Sequence, residues 1–257
     1  MLPSLYISHG SPMLMISDNQ STRFLSALSS TFEKPKYILV ISAHWVSNNL
    51  RILYEDNPST IYDFYNFPNE LYNLTYKAPS SKKKSDEIVD LLKSNNIQIE
   101  KDISRAGYDH GVWSPLKFLY PNADIPVLQI SLPVNYDAKE LIKLGEILYE
   151  LRDNTLIIGS GSMTHNLMQM DRDENSFVKP SAVFFRDWVV DKLENADVDS
   201  LTKYRKEAPY LVQNHPSLEH FLPLFVSLGA SKNRVGKSLH DVYMNGNLSM
   251  DTIMFEE

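Results

Sequence analysis

The chain carries seven histidines and no cysteine, so any metal site or nucleophilic chemistry must be built on imidazole, carboxylate or hydroxyl groups. Four of the seven stand where function tends to gather. His9 and His44 each follow a short apolar run and a serine, in Tyr6-Ile7-Ser8-His9 and in Ile41-Ser42-Ala43-His44-Trp45. His110 is bracketed by Gly107 and Gly111, and His165 closes the Gly/Ser-rich turn Gly159-Ser160-Gly161-Ser162-Met163-Thr164. Taken singly, each is an ordinary partly buried or surface histidine. Three or four imidazoles converging without cysteine have the composition of a zinc, iron or copper site.

The elements that must position them read as an alternating α/β chain. Leu5 to Ser8 form a first strand, residues 19–33 a helix with Phe24, Leu25 and Leu28 at helical spacing, and Tyr37 to Ile41 a strand buried on both faces. A strand, helix and parallel strand in this order deliver His9 and His44 to the same end of a sheet. Arg51 to Tyr54, Ile97 to Ile99, Val127 to Ser131 and Leu156 to Gly159 read as further strands. Residues 85–94 and the stripe Leu141, Leu144, Leu148 and Leu151 read as helices. A later helix is expected to turn Phe184, Trp188 and Leu193 inward, and another to run from Pro216 to just before Gly229. Asn245-Gly246 signals a hairpin, so the last residues should add an antiparallel edge. Residues 107–113 read as a polar loop. No repeat, linker or shift of composition divides the chain, and residues 1–257 are expected to form a single domain.

Composition narrows the function classes. Hydrophobic residues make up 43% and charged residues 22%, ordinary for a globular protein. The net charge of −7 argues against nucleic acid as a partner. No apolar run approaches a membrane span, and no signal peptide is read, so a cytoplasmic protein without membrane contact is expected.

Familiar catalytic signatures are missing. Gly159 to Ser162 lack the Gly-Lys-Ser/Thr ending of a phosphate loop. A nucleophile elbow needs serine and glycine where Gly161 and Met163 stand. Glu219, beside His220, could be a ligand, a general base or a solvated carboxylate in a helix's first turn. Tyr62 to Pro68 is dense in aromatic residues and reads either as a surface loop pinned by ring burial or as a lid over a flat aromatic ligand.

Six segments together resemble a known family. They are His9-Gly10-Ser11-Pro12, Ser42-Ala43-His44-Trp45, the aromatic stretch 62–68, Gly107 to Trp113, Gly159 to Asn166 and His215 to Leu224. In this order they resemble the class III extradiol aromatic ring-opening dioxygenases, in the branch that acts on DOPA. The resemblance implies a single α/β domain with a mixed, largely parallel central sheet, helices on both faces and one divalent metal per chain. It implies His9, His44 and His220 as metal ligands, and His165 as acid/base or fourth ligand. His110 would orient or stabilise the reacting groups, and Tyr65, Phe67 and His215 would contact substrate. Asn66 stands where the family usually has glycine, a departure that bears on the backbone of the aromatic segment.

The chemistry so implied is the opening of a catechol ring by O2 at an open-sided Fe(II), with His165 moving the proton. An all-imidazole site also suits Zn(II), which has no second oxidation state for this reaction. A zinc-dependent hydrolase on the same scaffold is therefore the alternative, with His165 or Glu219 as base. A binder of small molecules without catalysis is a third reading.

Overall fold

Alternation along the strands builds a layered molecule in this computed structural model, which describes residues 1–256. Side chains on a strand point to opposite faces in turn. Leu39 and Ile41 accordingly join one apolar core, and Ile38 and Val40 join the other. Tyr6 and Ile157 fall with the first pair, while Leu5, Ile7, Leu156 and Ile158 fall with the second.

The strands are β1 (Ser4–Ser8), β2 (Tyr37–Ser47), β3 (Arg51–Leu53), β4 (Ser59–Thr60), β5 (Glu100–Asp102), β6 (Gly107–Tyr108), β7 (Val127–Pro133), β8 (Thr155–Gly161), β9 (Gly236–His240), β10 (Tyr243–Met244), β11 (Leu248–Ser249) and β12 (Thr252–Phe255). The helices are α1 (Gln20–Leu28), α2 (Lys82–Ser94), α3 (His110–Leu119), α4 (Ala138–Leu148), α5 (Pro180–Glu194), α6 (Val198–Thr202), α7 (Tyr204–Glu207), α8 (Leu211–Asn214) and α9 (Pro223–Gly229). Eight strands form the main sheet in the order β5-β3-β7-β2-β8-β1-β12-β9. The centre is parallel: β7 and β8 flank β2, and β8 pairs with β1. β12 and β9 run antiparallel at one side, and β3 meets β7 antiparallel at the other. Helices α2, α4, α5 and α9 cover one face, and α1 and α3 the other. The mixed α/β architecture read from the sequence is the one observed. Among the described residues no helix is long and apolar enough to cross a membrane.

Several local expectations are corrected. β2 does not end at Ile41; it continues through His44, with an irregularity in its pairing to β7 between Ile41 and Val46. The strand expected at Ile97–Ile99 lies three residues later, because those isoleucines pack into the core ahead of it. His110 is not in a polar loop: it opens helix α3 and is buried. On α5, Phe185 and Val189 face the core, while Phe184 is 57% exposed. The late helix starts at Pro223, not Pro216; both prolines suit a first turn, and the backbone before residue 223 is irregular. The Asn245-Gly246 turn does close a hairpin, β10 to β11, apart from the main sheet.

Candidate metal centre

His9 leaves the C-terminal end of β1, and its Nδ1 lies 2.9 Å from Ser160 Oγ on neighbouring β8. The single hydroxyl proton of Ser160 goes to the carbonyl of Gly111. Ser160 must then accept from His9, which places the proton on Nδ1 and leaves the Nε2 lone pair free. His220 repeats this arrangement with a carboxylate, and His44 has one beside it. His44 Nδ1 is 3.3 Å from Asp63 Oδ2, and His220 Nδ1 is 3.3 Å from Glu219 Oε1. Such outer partners fix ring orientation and tautomer in metal sites.

The three free nitrogens converge. His44 Nε2 is 3.0 Å from His9 Nε2 and 3.3 Å from His220 Nε2. Two unprotonated nitrogens cannot hydrogen-bond to each other, so this packing is repulsive unless a cation lies between them. Around an ion with metal–nitrogen bonds of about 2.0–2.1 Å, neighbouring ligands stand about 2.9–3.4 Å apart in octahedral or tetrahedral geometry. The observed separations fit. Ligand-capable atoms of His9, His44 and His110 lie within 4.8 Å of one another, as do those of His165, Glu219 and His220. These two groups join through the short His44–His220 contact into one cluster.

Electrostatics suits a cation. Burial, with neighbouring imidazoles adding to it, pushes His9 well below the ordinary histidine range. Burial likewise brings His44 to about 4 and holds His220 well below its usual value. All three are therefore neutral at physiological pH, the state in which an imidazole can bind a metal. The hydrogen bond from His220 leads the contacts that bring Glu219 down to about 2. Desolvation would raise Asp63, but it is outweighed, chiefly by the hydrogen bond from His110, and Asp63 stays below the ordinary carboxylate range. Two carboxylates thus stand behind three neutral imidazoles, a balance for a divalent ion.

Asp63 also binds His110, accepting from its backbone N at 2.8 Å and from its Nδ1 at 2.9 Å. It thereby satisfies an otherwise orphaned N–H at the start of α3. Oδ2 of this one carboxylate serves both His110 and His44. Asp109, which precedes α3, leaves its own cap unmade. Its buried carboxylate instead takes Ser42 Oγ at 2.6 Å, Arg105 Nη2 at 2.6 Å and Gln129 Nε2. His165 stacks on His220, ring centres 3.6 Å apart, and its backbone N donates to Asn214 O. Burial lowers its pKa.

Glycines permit this closeness. A Cβ on Gly111 would lie 2.3 Å from Ser42 Oγ, and one on Gly161 would lie 2.0 Å from the carbonyl oxygen of His220. The backbone of Asn66 has φ of 62°, the left-handed region that glycine occupies freely and asparagine tolerates. The substitution therefore keeps a glycine-like bend in the aromatic segment.

A cavity of about 500 Å3 opens over the cluster, and His9, His44, His110, His165 and His220 all line it. Phe64, Tyr65 and Phe67 are in its wall, and Tyr65 is 81% exposed at the rim. His215 is not among the lining residues. It is buried beside Phe185 and Phe221, and its Nε2 is 2.9 Å from Met163 O, so it braces the turn before His165. Glu219 is not in the first turn of a helix, because none begins there; it accepts from His220 and from Ser217. The reading of the sequence missed Asp63 and the accepting role of Ser160. A lone acidic residue inside an aromatic run, and a serine one strand away from the first histidine, were the available signals.

Comparison with known proteins gives the family. Residues 3–252 match the family described as the catalytic LigB subunit of aromatic ring-opening dioxygenase. A protein of Beta vulgaris named 4,5-DOPA dioxygenase extradiol is 38% identical over 257 residues, covering 98% of this chain and 96% of that one. A protein of the same name from Escherichia coli strain K12 is 34% identical, covering 89% and 85% respectively. The crystal structure of an uncharacterized Escherichia coli K12 protein superimposes with a TM-score of 0.84 at 29% identity, over the full length of both chains. A cluster of neutral histidines at the end of a parallel sheet, and a family match over nearly the whole chain, lead to one statement: this chain belongs to the LigB family and is an aromatic ring-opening dioxygenase.

Proposed function

We propose that His9, His44 and His220 hold one Fe(II) through Nε2 and that the enzyme opens the ring of a small catechol, DOPA being the reference substrate. The observation that carries this reading is the pair of Nε2 separations, 3.0 and 3.3 Å, between imidazoles whose Nδ1 atoms each have an oxygen within 3.3 Å. Iron held by these three histidines would supply the Lewis acidity and the exchangeable electrons that the reaction of a catechol with O2 needs, the second of which zinc lacks.

The protein's own groups do the rest. His165, neutral at physiological pH, accepts a phenolic proton on a ring nitrogen and returns it when the ring opens. His110 carries its proton on Nδ1 toward Asp63, so its Nε2 is free to accept a hydrogen bond from the substrate. Phe64, Phe67 and Tyr65 supply an aromatic wall for a flat ring and keep water from one side of it. Family membership and the curated relatives' names favour this reading over a zinc hydrolase.

The test is anaerobic loading with Fe(II), then O2 and a panel of catechols. A yellow ring-opened product is expected. Iron held at one equivalent with no catechol opened would defeat the proposal. Metal analysis of protein purified without air distinguishes iron from zinc as the native ion.

A further inference from the structure

Apart from the histidine cluster and the carboxylate of Asp63, the lining of the cavity is largely apolar. Beyond the histidines, its walls are Pro12, Phe67, Leu167, Met170 and Leu248, with Tyr65 at the rim. Among the described residues no lysine or arginine lines it. Besides the histidines, the only carboxylate among the lining residues is that of Asp63, and it is engaged by His110 and lies beside His44. The nearby cation Arg105 is not in the lining; it pairs with Asp109 at 2.6 Å and lies over the Trp45 ring. Ser11 and Ser162 can hydrogen-bond to a substituent but cannot neutralise its charge.

A catechol held by its two oxygens at the histidine cluster directs its remaining ring positions toward this apolar lining. An uncharged alkyl or aryl group placed there leaves water and gains contact with Leu167, Met170 and Leu248. A carboxylate placed there finds no cationic partner in the wall, in a protein whose net charge is −7. The α-amino acid group of DOPA carries both charges, and neither has a free counter-group in the wall. We infer that the preferred substrate is a catechol bearing an uncharged apolar ring substituent, rather than one bearing a carboxylate or an amino acid side chain. The inference rests on the catechol reading above and refines it.

Four ligands with the same dihydroxy ring test it: 4-propylcatechol, dopamine, 3-(3,4-dihydroxyphenyl)propanoate and DOPA. Two readouts are taken, kcat/KM with Fe(II) and O2, and anaerobic Kd on the zinc-loaded protein, which needs no turnover. In both, 4-propylcatechol should exceed DOPA by at least about tenfold, as gain of apolar contact against unpaired polar groups allows, and the propanoate should be poorest. DOPA or the propanoate equal to or above 4-propylcatechol in Kd would overturn the inference, whether or not any ring is opened. Failure of ring opening with the Kd order intact would instead remove only the catalytic reading. In Met170→Arg the ratio of propanoate to 4-propylcatechol binding should rise at least about tenfold, because a cation now faces the substituent. An unchanged ratio would show that the missing cation does not set the order.

Discussion

The metal centre has two halves made in different ways. His9 and His44 are borne by β1 and β2, and their partners Ser160 and Asp63 hold them from β8 and from the aromatic segment. His165 and His220 lie on irregular chain between β8 and α9. That half is fixed by backbone contacts: Ser162 N donates to His220 O at 2.9 Å, Tyr6 Oη donates to the same oxygen at 2.8 Å, and His165 N reaches Asn214 O. One half inherits its geometry from a parallel sheet. The other depends on a few specific hydrogen bonds, and so should be the softer of the two.

The largest effect expected is loss of the metal itself. His9→Ala, His44→Ala or His220→Ala should each abolish iron retention, measured by metal analysis after desalting, and take turnover to background, since the metal's several kcal/mol of charge stabilisation go with it. If His220→Ala alone kept iron, the softer half would not be part of the ligand set. Next comes His165→Ala, which should keep iron but lower kcat by about 10²–10⁴-fold, the usual worth of a general acid–base group. Parallel loss of iron would make His165 a ligand instead.

The carboxylates sharpen the comparison. Asp63 serves His44 and His110 together, whereas Glu219 serves His220 and is partly open to solvent. Asp63→Asn should therefore weaken metal affinity and kcat by about 10–100-fold, and Glu219→Gln should fall at or below the lower end of that range. The reverse order in a metal competition titration would place the weight on the loop-borne half.

The smallest effect concerns His215, which braces that half from behind. Burial brings its pKa to about 4. An unfolded histidine titrates near 6.5, so the unfolded chain takes up the proton first and the native state loses stability as pH falls below that value, until the folded group also protonates. Between pH 7.5 and 5.5 the loss from this group is about 1 kcal/mol. In metal-free protein, urea midpoints of His215→Gln should fall less over that range than those of the wild type. Equal slopes would mean that His215 does not titrate as buried.

Legibility in the sequence followed the same division. A continuous apolar run ending in serine and histidine can be read as a strand that presents an imidazole, because burial and register both act through residues adjacent in the chain. His9 and His44 stood out for that reason, as did the layered α/β architecture. His165 stood out by the Gly/Ser-rich turn that it closes, and His220 only by resemblance to a family, since no local period marks the chain around it. The start of α9 was misplaced by seven residues because Pro216 and Pro223 carry the same signal. His110 was read as a loop residue because the polar stretch hides that Asp63, 47 positions earlier, takes the first N–H of α3. Pairings of that separation are invisible to local patterns.

Gly161 joins the two halves. A carbon there would stand 2.0 Å from the His220 carbonyl, where carbon and oxygen otherwise keep about 3.3 Å. Any side chain would drive the sheet-borne and loop-borne histidines apart by about an ångström, whereas metal–ligand distances tolerate about 0.2 Å. This glycine is the shim of zero thickness that sets the gauge of the site: the distance between its two mountings is fixed by backbone touching backbone, with no room for adjustment.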